Sequence, residues 1–307
     1  MFKQYLLRVA LVWFALIALF GHSTLAAAKL NVVATTTSMG MLAKEVGGEY
    51  VSVTTLASPD RDTHYLQAKP SMMMALRKAD LVIAVGADLE IGWLPAAIGS
   101  ASNPKIRNNQ PGYFEAAQFL DLISKDAADR SKGDVHPGGN PHFNLDPERM
   151  AILANQLALR LGELDKTHTS AYQANAQSLT RKLARLTQSL KQSLKQRVNN
   201  REGVVLMHNN ADYLLKLLQV PVLGYMEPVP GIPPNASHLK GLADTLKNRQ
   251  GIIIHAPYHQ NSGPRKLAKI LGWQIKVLPI EPPKGAGFRE YRKFLSDWAV
   301  ALNSGRG

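Results

Sequence analysis

Apolar positions recur along the chain in two patterns, one typical of β-strands and the other typical of α-helices. The runs KLNVVATTT and GEYVSVTTLA are rich in β-branched residues and predict strands. SMGMLAKEVGG between them has helical spacing, with a serine at its start and glycine at its end. A further helix, PSMMMALRKA, and a further strand, DLVIAVG, follow. Strands that alternate with helices in this way predict a parallel sheet covered by helices on both faces.

The middle of the chain has a different pattern. Between Asp146 and Asn200 the only helix-breaking residues are Pro147 and Gly162. This composition predicts one helix that Asp146 and Pro147 open, followed by a second helix at 166–198. Since each helical residue adds 1.5 Å, about 30 residues would extend for about 45 Å. We therefore predict a long rigid helix that bridges two parts of the protein.

The alternation of strands and helices starts again after the long helix. Four strand-like runs are separated or followed by amphipathic helices: GVVLMH, VPVLGYME, GIIIH and QIKVLPIE. The pattern predicts an α/β protein with an N-terminal lobe at 29–165, a linking helix at 166–198 and a C-terminal lobe at 199–307. Each lobe is expected to contain a parallel sheet.

Residues 1–28 have the layout of a secretory signal peptide. Lys3 and Arg8 form a basic start, residues 9–20 are apolar, and Ala26 to Ala28 offer small residues for cleavage. No later run is apolar enough to span a membrane, and the sequence contains no cysteine. We therefore expect export with cleavage near Ala26 to Ala28. The expected product is a soluble periplasmic protein without disulfides that is not a lipoprotein.

Basic residues outnumber acidic residues by 36 to 23, and the formal net charge is +13. Such an excess can indicate nucleic-acid or membrane binding. Many of these residues lie in the predicted linking helix, with no aromatic residue between them: Arg181, Lys182, Arg185, Lys191, Lys195 and Arg197. A solvated helix face explains this pattern better than a nucleic-acid site, so we expect no nucleic-acid partner.

Polar residues stand near the ends of the predicted strands. In parallel sheets, ligands bind outside the carboxyl ends of the strands. In the C-terminal half these positions hold His208, Glu227, His255 and Glu281. In the N-terminal half, His64 follows the second strand, with Asp62 close enough to orient its ring, and His142 lies just before the long helices. Imidazole and carboxylate groups without thiolates suit Zn²⁺, Mn²⁺ or Fe²⁺.

Several separated motifs resemble those of the periplasmic solute-binding proteins of zinc and manganese ABC importers. They are DTHYLQAKPS, ADLVIAVGADLEIGWLP, DVHPGGNPHFNLDP and GYMEPVPGIPPNASHL, and they occur in the family's order over nearly the whole mature chain. The resemblance implies two α/β lobes bridged by a long rigid helix, with one divalent cation in the cleft between the lobes. It also implies a monomer that performs no chemistry and delivers the metal to an ABC transporter membrane permease.

The resemblance implies a specific ligand set. It assigns the first three ligands to His64, His142 and His208, and a histidine in the third position is more typical of zinc binders, with manganese or iron as the alternative. Many members place an aspartate in the fourth position, where this chain has Glu281. Glu227, His255 or a water is the alternative there. We interpret His136, six residues before His142, as a residue that anchors the loop or lines the entrance.

Two other functions compete with metal capture. A periplasmic zinc hydrolase would use three histidines and a water, with Glu227 or Glu281 as the general base, but no His-Glu-x-x-His motif occurs in the sequence. A surface adhesin is the second alternative, and no additional module supports it. We therefore expect a metal-binding protein that is not an enzyme.

Overall fold

The computed structural model describes residues 28–123, 135–194 and 202–304. The predicted signal peptide as far as residue 27 lies outside the described residues, and so do positions 195–198 of the predicted linking helix. The described residues include two four-stranded sheets in which all neighbouring strands are parallel. The predicted α/β class with two parallel-sheet lobes is therefore confirmed.

The first sheet has the strand order β2-β1-β3-β4. Its strands are β1 Leu30–Ala34, β2 Val51–Thr55, β3 Leu81–Ala84 and β4 Tyr113–Glu115. Its helices are α1 Thr37–Gly47, α2 Pro70–Arg77 and α3 Leu94–Ala101. Val32 and Ile83 pack in the core that contains α1, whereas Val33 and Val82 pack with residues of α2 and α3. Both faces of the sheet are therefore covered, which explains why its central strands are apolar throughout.

The second sheet repeats this arrangement with the order β6-β5-β7-β8. Its strands are β5 Glu202–Leu206, β6 Val222–Tyr225, β7 Gln250–His255 and β8 Gln274–Val277. In each sheet the second strand in chain order lies on one side of the first strand, and the third strand lies on its other side. The chain therefore reverses its direction across the sheet at the first strand. This reversal leaves a crevice beside the carboxyl ends of β1 and β3 in one lobe and of β5 and β7 in the other.

Two antiparallel helices, α4 Pro147–Leu164 and α5 Thr169–Leu194, connect the lobes. The carboxylate of Asp146 begins α4 because it accepts hydrogen bonds from the backbone N–H groups of Glu148 and Arg149, at 2.8 and 3.3 Å. A short 3₁₀ turn at Lys166–His168 precedes α5, so the α-helix starts three residues later than predicted. Within the described part of the chain, no helix has the length and apolar character of a membrane span.

One side of α5 is part of the protein core. Its buried leucines recur at helical spacing, at 179, 183, 186 and 190. They belong to a single apolar cluster that also contains Val32 and Ile83 of the first sheet and Val204 and Ile252 of the second. The opposite side carries the exposed basic residues Arg181, Lys182, Arg185 and Lys191, as predicted. The linking helix therefore ties the two lobes together through shared packing.

The described part of the C-terminal lobe, 202–304, contains four α-helices, α6 Asp212–Leu217, α7 Ala236–Leu246, α8 Ser262–Leu271 and α9 Phe288–Asn303. The sequence reasoning did not identify α9, although Tyr291, Leu295 and Trp298 are buried at helical spacing. The Tyr291 hydroxyl donates a hydrogen bond to the carbonyl of Asn144 at 2.7 Å. This bond attaches the last helix to the segment that follows His142.

Replacing Leu183 by alanine is expected to lower the free energy of unfolding by about 2–5 kcal/mol, the usual cost of truncating a buried leucine. Because Leu183 packs in the core that both lobes share, urea unfolding of the variant should remain a single transition. The matched control is Arg181→Ala on the exposed side of the same helix, with a change within about 0.5 kcal/mol. Two separate unfolding transitions would contradict a shared core.

Candidate metal site

Three of the predicted ligands converge where the carboxyl ends of the two sheets meet. His64 lies in the 3₁₀ turn Thr63–Tyr65 after β2, His142 immediately precedes the 3₁₀ turn Phe143–Leu145, and His208 follows β5. One ring nitrogen of each lies within 4.8 Å of the others. The Nε2 atoms of His142 and His208 are 3.2 Å apart. Among the described residues, this is the one group of three or more potential ligands with such spacing.

Carboxylates orient two of these rings. His64 Nδ1 lies 2.7 Å from Asp62 Oδ1, and His208 Nδ1 lies 2.8 Å from Glu227 Oε2. A carboxylate that accepts a hydrogen bond from Nδ1–H leaves the lone pair on Nε2, where a metal binds. Burial alone would raise the pKa of Asp62, but hydrogen bonding to His64 and the charge of that ring outweigh burial and lower it. Asp62 is therefore ionised and able to hold the ring of His64.

His142 is held by a different set of contacts. Its backbone N–H donates a hydrogen bond to Asn140 Oδ1 at 2.8 Å, and its side chain is buried. Burial, followed by the charges of neighbouring histidines, lowers the pKa of His142 well below its ordinary value. The imidazole is therefore neutral, and a neutral ring can donate a lone pair to a metal.

The metal-free protein is expected to lose stability as the pH falls below about 6.5, where the histidines of the unfolded chain take up protons. His142 contributes to this loss because its lowered pKa keeps it unprotonated in the folded state. Urea unfolding at pH values of about 7.5 and 5.5 would measure the effect. His142→Gln should reduce the difference in the free energy of unfolding between the two pH values. An unchanged difference would contradict the assignment to His142.

Glu281 does not lie at the end of a strand, because β8 ends at Val277. Its carboxylate accepts hydrogen bonds from the backbone and hydroxyl of Ser38, from the Thr37 hydroxyl and from the Asn144 amide, at 2.7–3.1 Å. Burial raises its pKa to about 7, although these hydrogen bonds oppose the rise. Glu281 shares a small cavity with His64 and His142 but is not in the three-histidine group.

The two alternative fourth ligands also lie outside the three-histidine group. Glu227 accepts hydrogen bonds from His208 Nδ1 and from the backbone N–H of Gly231, both at 2.8 Å. His255 is the last residue of β7, and its Nδ1 lies 2.8 Å from the carbonyl oxygen of Ala256. Its buried Nε2 has no hydrogen-bond partner among the described residues. Glu227 is thus placed to orient His208, and His255 is buried beside the site.

His136 lies next to the three-histidine group. Its Nδ1 is 2.9 Å from the carbonyl oxygen of Ala87, and its Nε2 is 3.2 Å from Nε2 of His64. The first contact agrees with the predicted anchoring of the loop. The second was not part of the sequence interpretation, which gave His136 only a role in anchoring the loop or lining the entrance. The six-residue spacing between His136 and His142 is the sequence signal that could have indicated their proximity.

The backbone around Gly139 sets the path between these two histidines. Gly139 has a φ of +112°, and a Cβ atom there would lie 2.5 Å from Cβ of Leu122. Its N–H donates to the carbonyl of His136 at 2.9 Å, which closes a turn. Both the left-handed backbone and the close approach require glycine at this position.

Replacing Gly139 by alanine is therefore expected to destabilise the protein by about 1–3 kcal/mol and to weaken zinc binding. Gly138→Ala is the matched control, because a Cβ atom at Gly138 would meet open space. Thermal melting and zinc titration of both variants would test this expectation. Equal melting temperatures and equal zinc affinities of the two variants would contradict this expectation.

A larger cavity of about 660 Å³ adjoins the histidines. Its lining includes His208, Asp62, Tyr258 and His259. Burial lowers the pKa of His259 to about 4, so this ring is neutral near physiological pH. The cavity offers a path from the surface to His208.

Comparisons with known proteins agree with this fold. The family described as zinc-uptake complex component A periplasmic (ZnuA) matches residues 32–305. The metal ABC transporter substrate-binding lipoprotein ScbA of Streptococcus cristatus is 26% identical over 194 residues, which cover 63% of this chain and 60% of ScbA. The manganese ABC transporter substrate-binding lipoprotein scaA of Streptococcus gordonii is 25% identical over 197 residues, with the same two coverages. This chain thus matches about 60% of the length of these relatives.

Solved structures share the fold over a larger part of the chain. A crystal structure of ZnuA has a TM-score of 0.74 and 22% identity and covers 90% of this chain and 98% of its own. FpvC from Pseudomonas aeruginosa, solved in complex with Mn²⁺, has a TM-score of 0.75 and 20% identity, with coverages of 90% and 99%. The fold of this chain is therefore shared with both of these solved structures.

The comparisons also correct one expectation from the sequence. ScbA and scaA are named lipoproteins, which contradicts the expectation that this protein is not a lipoprotein. That expectation rested on the absence of cysteine from the sequence. The same relatives are named substrate-binding proteins, which fits a protein that is not an enzyme. Because the family description matches nearly the whole chain, the protein belongs to the ZnuA family.

Proposed function

We propose that this protein captures one divalent metal ion, zinc, between its lobes and delivers it to the membrane permease of an ABC importer. The convergence of three imidazole nitrogens of His64, His142 and His208 within 4.8 Å carries the proposal. Zn²⁺ sites in proteins are built from three or four such ligands. We propose that capture takes place in the periplasm.

The choice of zinc follows from the donor atoms. Nitrogen ligands suit zinc, whereas manganese prefers carboxylate, carbonyl and water oxygens. The carboxylates of Asp62 and Glu227 contact the outer nitrogens of His64 and His208, which orients the rings. Manganese is the alternative, since scaA is named a manganese transporter component.

The shared core supports small rearrangements on binding in place of wide hinge opening. Residues of both sheets and of α5 pack in one cluster, so separating the lobes would expose apolar surface. Glu281 of the C-terminal lobe also accepts hydrogen bonds from Ser38 and Thr37 of the N-terminal lobe. We propose that metal entry and release need only local movement around His208 and the adjoining cavity.

Metal analysis of the purified protein tests capture. The wild-type protein is expected to bind one equivalent of zinc in equilibrium dialysis, and the triple variant His64→Ala, His142→Ala, His208→Ala to bind none. His168→Ala is the control, because this histidine lies in the turn between α4 and α5. Equal zinc content in the wild-type protein and the triple variant would refute the proposal.

Two further measurements test the metal and its delivery. Zinc should raise the melting temperature more than manganese at equal concentration, because the metal with the lower dissociation constant stabilises more. A larger shift with manganese would overturn the choice of zinc. Zinc uptake by membrane vesicles that contain the cognate permease should require the wild-type protein, and uptake that is equal with the triple variant would refute delivery.

A further inference from the structure

We propose that His136 is the fourth protein ligand, so that four imidazoles hold the metal: His64, His136, His142 and His208. This inference rests on the proposed capture of a metal ion by the other three histidines. It differs from the set implied by family resemblance, in which a carboxylate takes the fourth position.

The hydrogen bonds of His136 determine which nitrogen carries its proton. Its Nδ1 lies 2.9 Å from the carbonyl oxygen of Ala87. A carbonyl oxygen can only accept a hydrogen bond, so Nδ1 carries a proton, and in the neutral ring the lone pair is then on Nε2. The same holds for His64, because its Nδ1 faces the carboxylate of Asp62 at 2.7 Å.

The Nε2 atoms of His64 and His136 face each other, 3.2 Å apart. In neutral rings with the proton on Nδ1, both of these atoms carry lone pairs. One cation can accept both lone pairs at this spacing.

The spacing of the nitrogens agrees with a tetrahedral ion. Zn–N bonds of about 2.0–2.1 Å at tetrahedral angles place neighbouring nitrogens about 3.3–3.4 Å apart. The His64–His136 pair and the His142–His208 pair both have Nε2 atoms 3.2 Å apart. Each pair therefore has about the length of one edge of such a tetrahedron, and Nε2 of His136 has to come closer to the other two histidines to complete the site.

A small inward movement of His136 completes this arrangement. The ring centroid of His142 lies 6.1 Å from that of His136 but 5.1 Å from that of His64. The turn at Gly139 fixes the backbone of this loop, so the movement is confined to the side chain and its immediate neighbours.

Glu281 is less suited to the fourth position. Both of its oxygens already accept hydrogen bonds, which come from Thr37, Ser38 and Asn144. Moving the carboxylate to the metal would leave those buried donors without an acceptor. His136 needs no such exchange, because its Nδ1–H can keep the carbonyl of Ala87 while Nε2 binds the metal.

Spectroscopy that counts imidazole ligands tests this assignment. Protein labelled with nitrogen-15 in histidine is loaded with spin-active cadmium, and each bound Nε2 gives a scalar coupling to the metal. We expect four coupled imidazoles in the wild-type protein and three in His136→Asn. The asparagine amide can still donate to the carbonyl of Ala87, so this variant removes the ligand nitrogen while it keeps the loop contact.

Zinc affinity provides the second readout. His136→Asn and His136→Ala should both lower the affinity by more than about 100-fold, beyond the loss of an outer hydrogen bond. Glu281→Gln is the comparison variant and should retain four coupled imidazoles. Unchanged melting temperatures of the metal-free variants establish that they fold.

The outcomes separate the two proposals. Three coupled imidazoles in the wild-type protein, with full affinity in His136→Asn, would overturn the role of His136 and leave metal capture intact. A loss of affinity in Glu281→Gln but not in His136→Asn would assign the fourth position to Glu281. Absence of metal binding by the wild-type protein would instead refute the proposed function itself.

Discussion

His142→Ala is expected to lower the affinity for zinc by more than about 100-fold, since the loss of an outer hydrogen bond alone costs 10–100-fold. His142 is buried, and its Nε2 lies 3.2 Å from that of His208. Alanine removes one ligand and leaves a space that water can fill, so the remaining ligands bind a less completely coordinated ion. Competition of the variant with a fluorescent zinc chelator would measure the loss.

His255→Ala is the matched control for this variant. His255 is also a buried histidine at the C-terminal end of a strand, but it does not belong to the three-histidine group. Its replacement should leave zinc affinity nearly unchanged. Full affinity in His142→Ala would remove His142 from the site, and a large loss in His255→Ala would add His255 to it.

Asp62→Asn is expected to lower the affinity for zinc by about 10–100-fold. The asparagine oxygen can still accept a hydrogen bond from Nδ1 of His64, so the ring keeps its orientation. The variant loses the negative charge that makes the ring a stronger donor to the metal. Because the ligand itself remains, the number of zinc ions bound should stay at one.

Asp60→Asn is the control for Asp62→Asn. Asp60 lies two residues earlier in the same loop and is fully exposed, with a hydrogen bond to Ser58. Its replacement removes the same charge from the surface, where water and salt screen it. A similar loss of affinity in both variants would indicate a general electrostatic effect and would contradict a specific role for Asp62.

The shared core bears on how such a protein exchanges its metal. Leucines of α5 pack with apolar residues of both sheets, so the two lobes do not have separate interiors. Glu281 adds polar contacts between the lobes through Ser38 and Thr37. In the proposed function, metal release would therefore need only local changes around the histidines, where the adjoining cavity reaches His208.

The strand periodicity and the long helical segment were sufficient to predict the two α/β lobes. They were sufficient because strands buried on both faces and amphipathic helices have different repeats in the sequence itself. The same reasoning did not identify α9. It also extended the last strand to Glu281, whereas β8 ends at Val277. The apolar residues at 278 and 280 pack in the core from an irregular segment, which periodicity cannot distinguish from a strand.

The sequence by itself determined which residue types could bind a metal and placed His64, His142 and His208 near the ends of predicted elements. Their convergence within 4.8 Å is a property of the tertiary structure, because the separation of residues 64 and 208 along the chain says nothing about their distance. Asp62, two residues before His64, orients that ring as the sequence indicated, whereas contacts between distant parts of the chain orient His208 and His136. His136 shows this most directly, since Ala87 holds one of its nitrogens and turns the other toward His64.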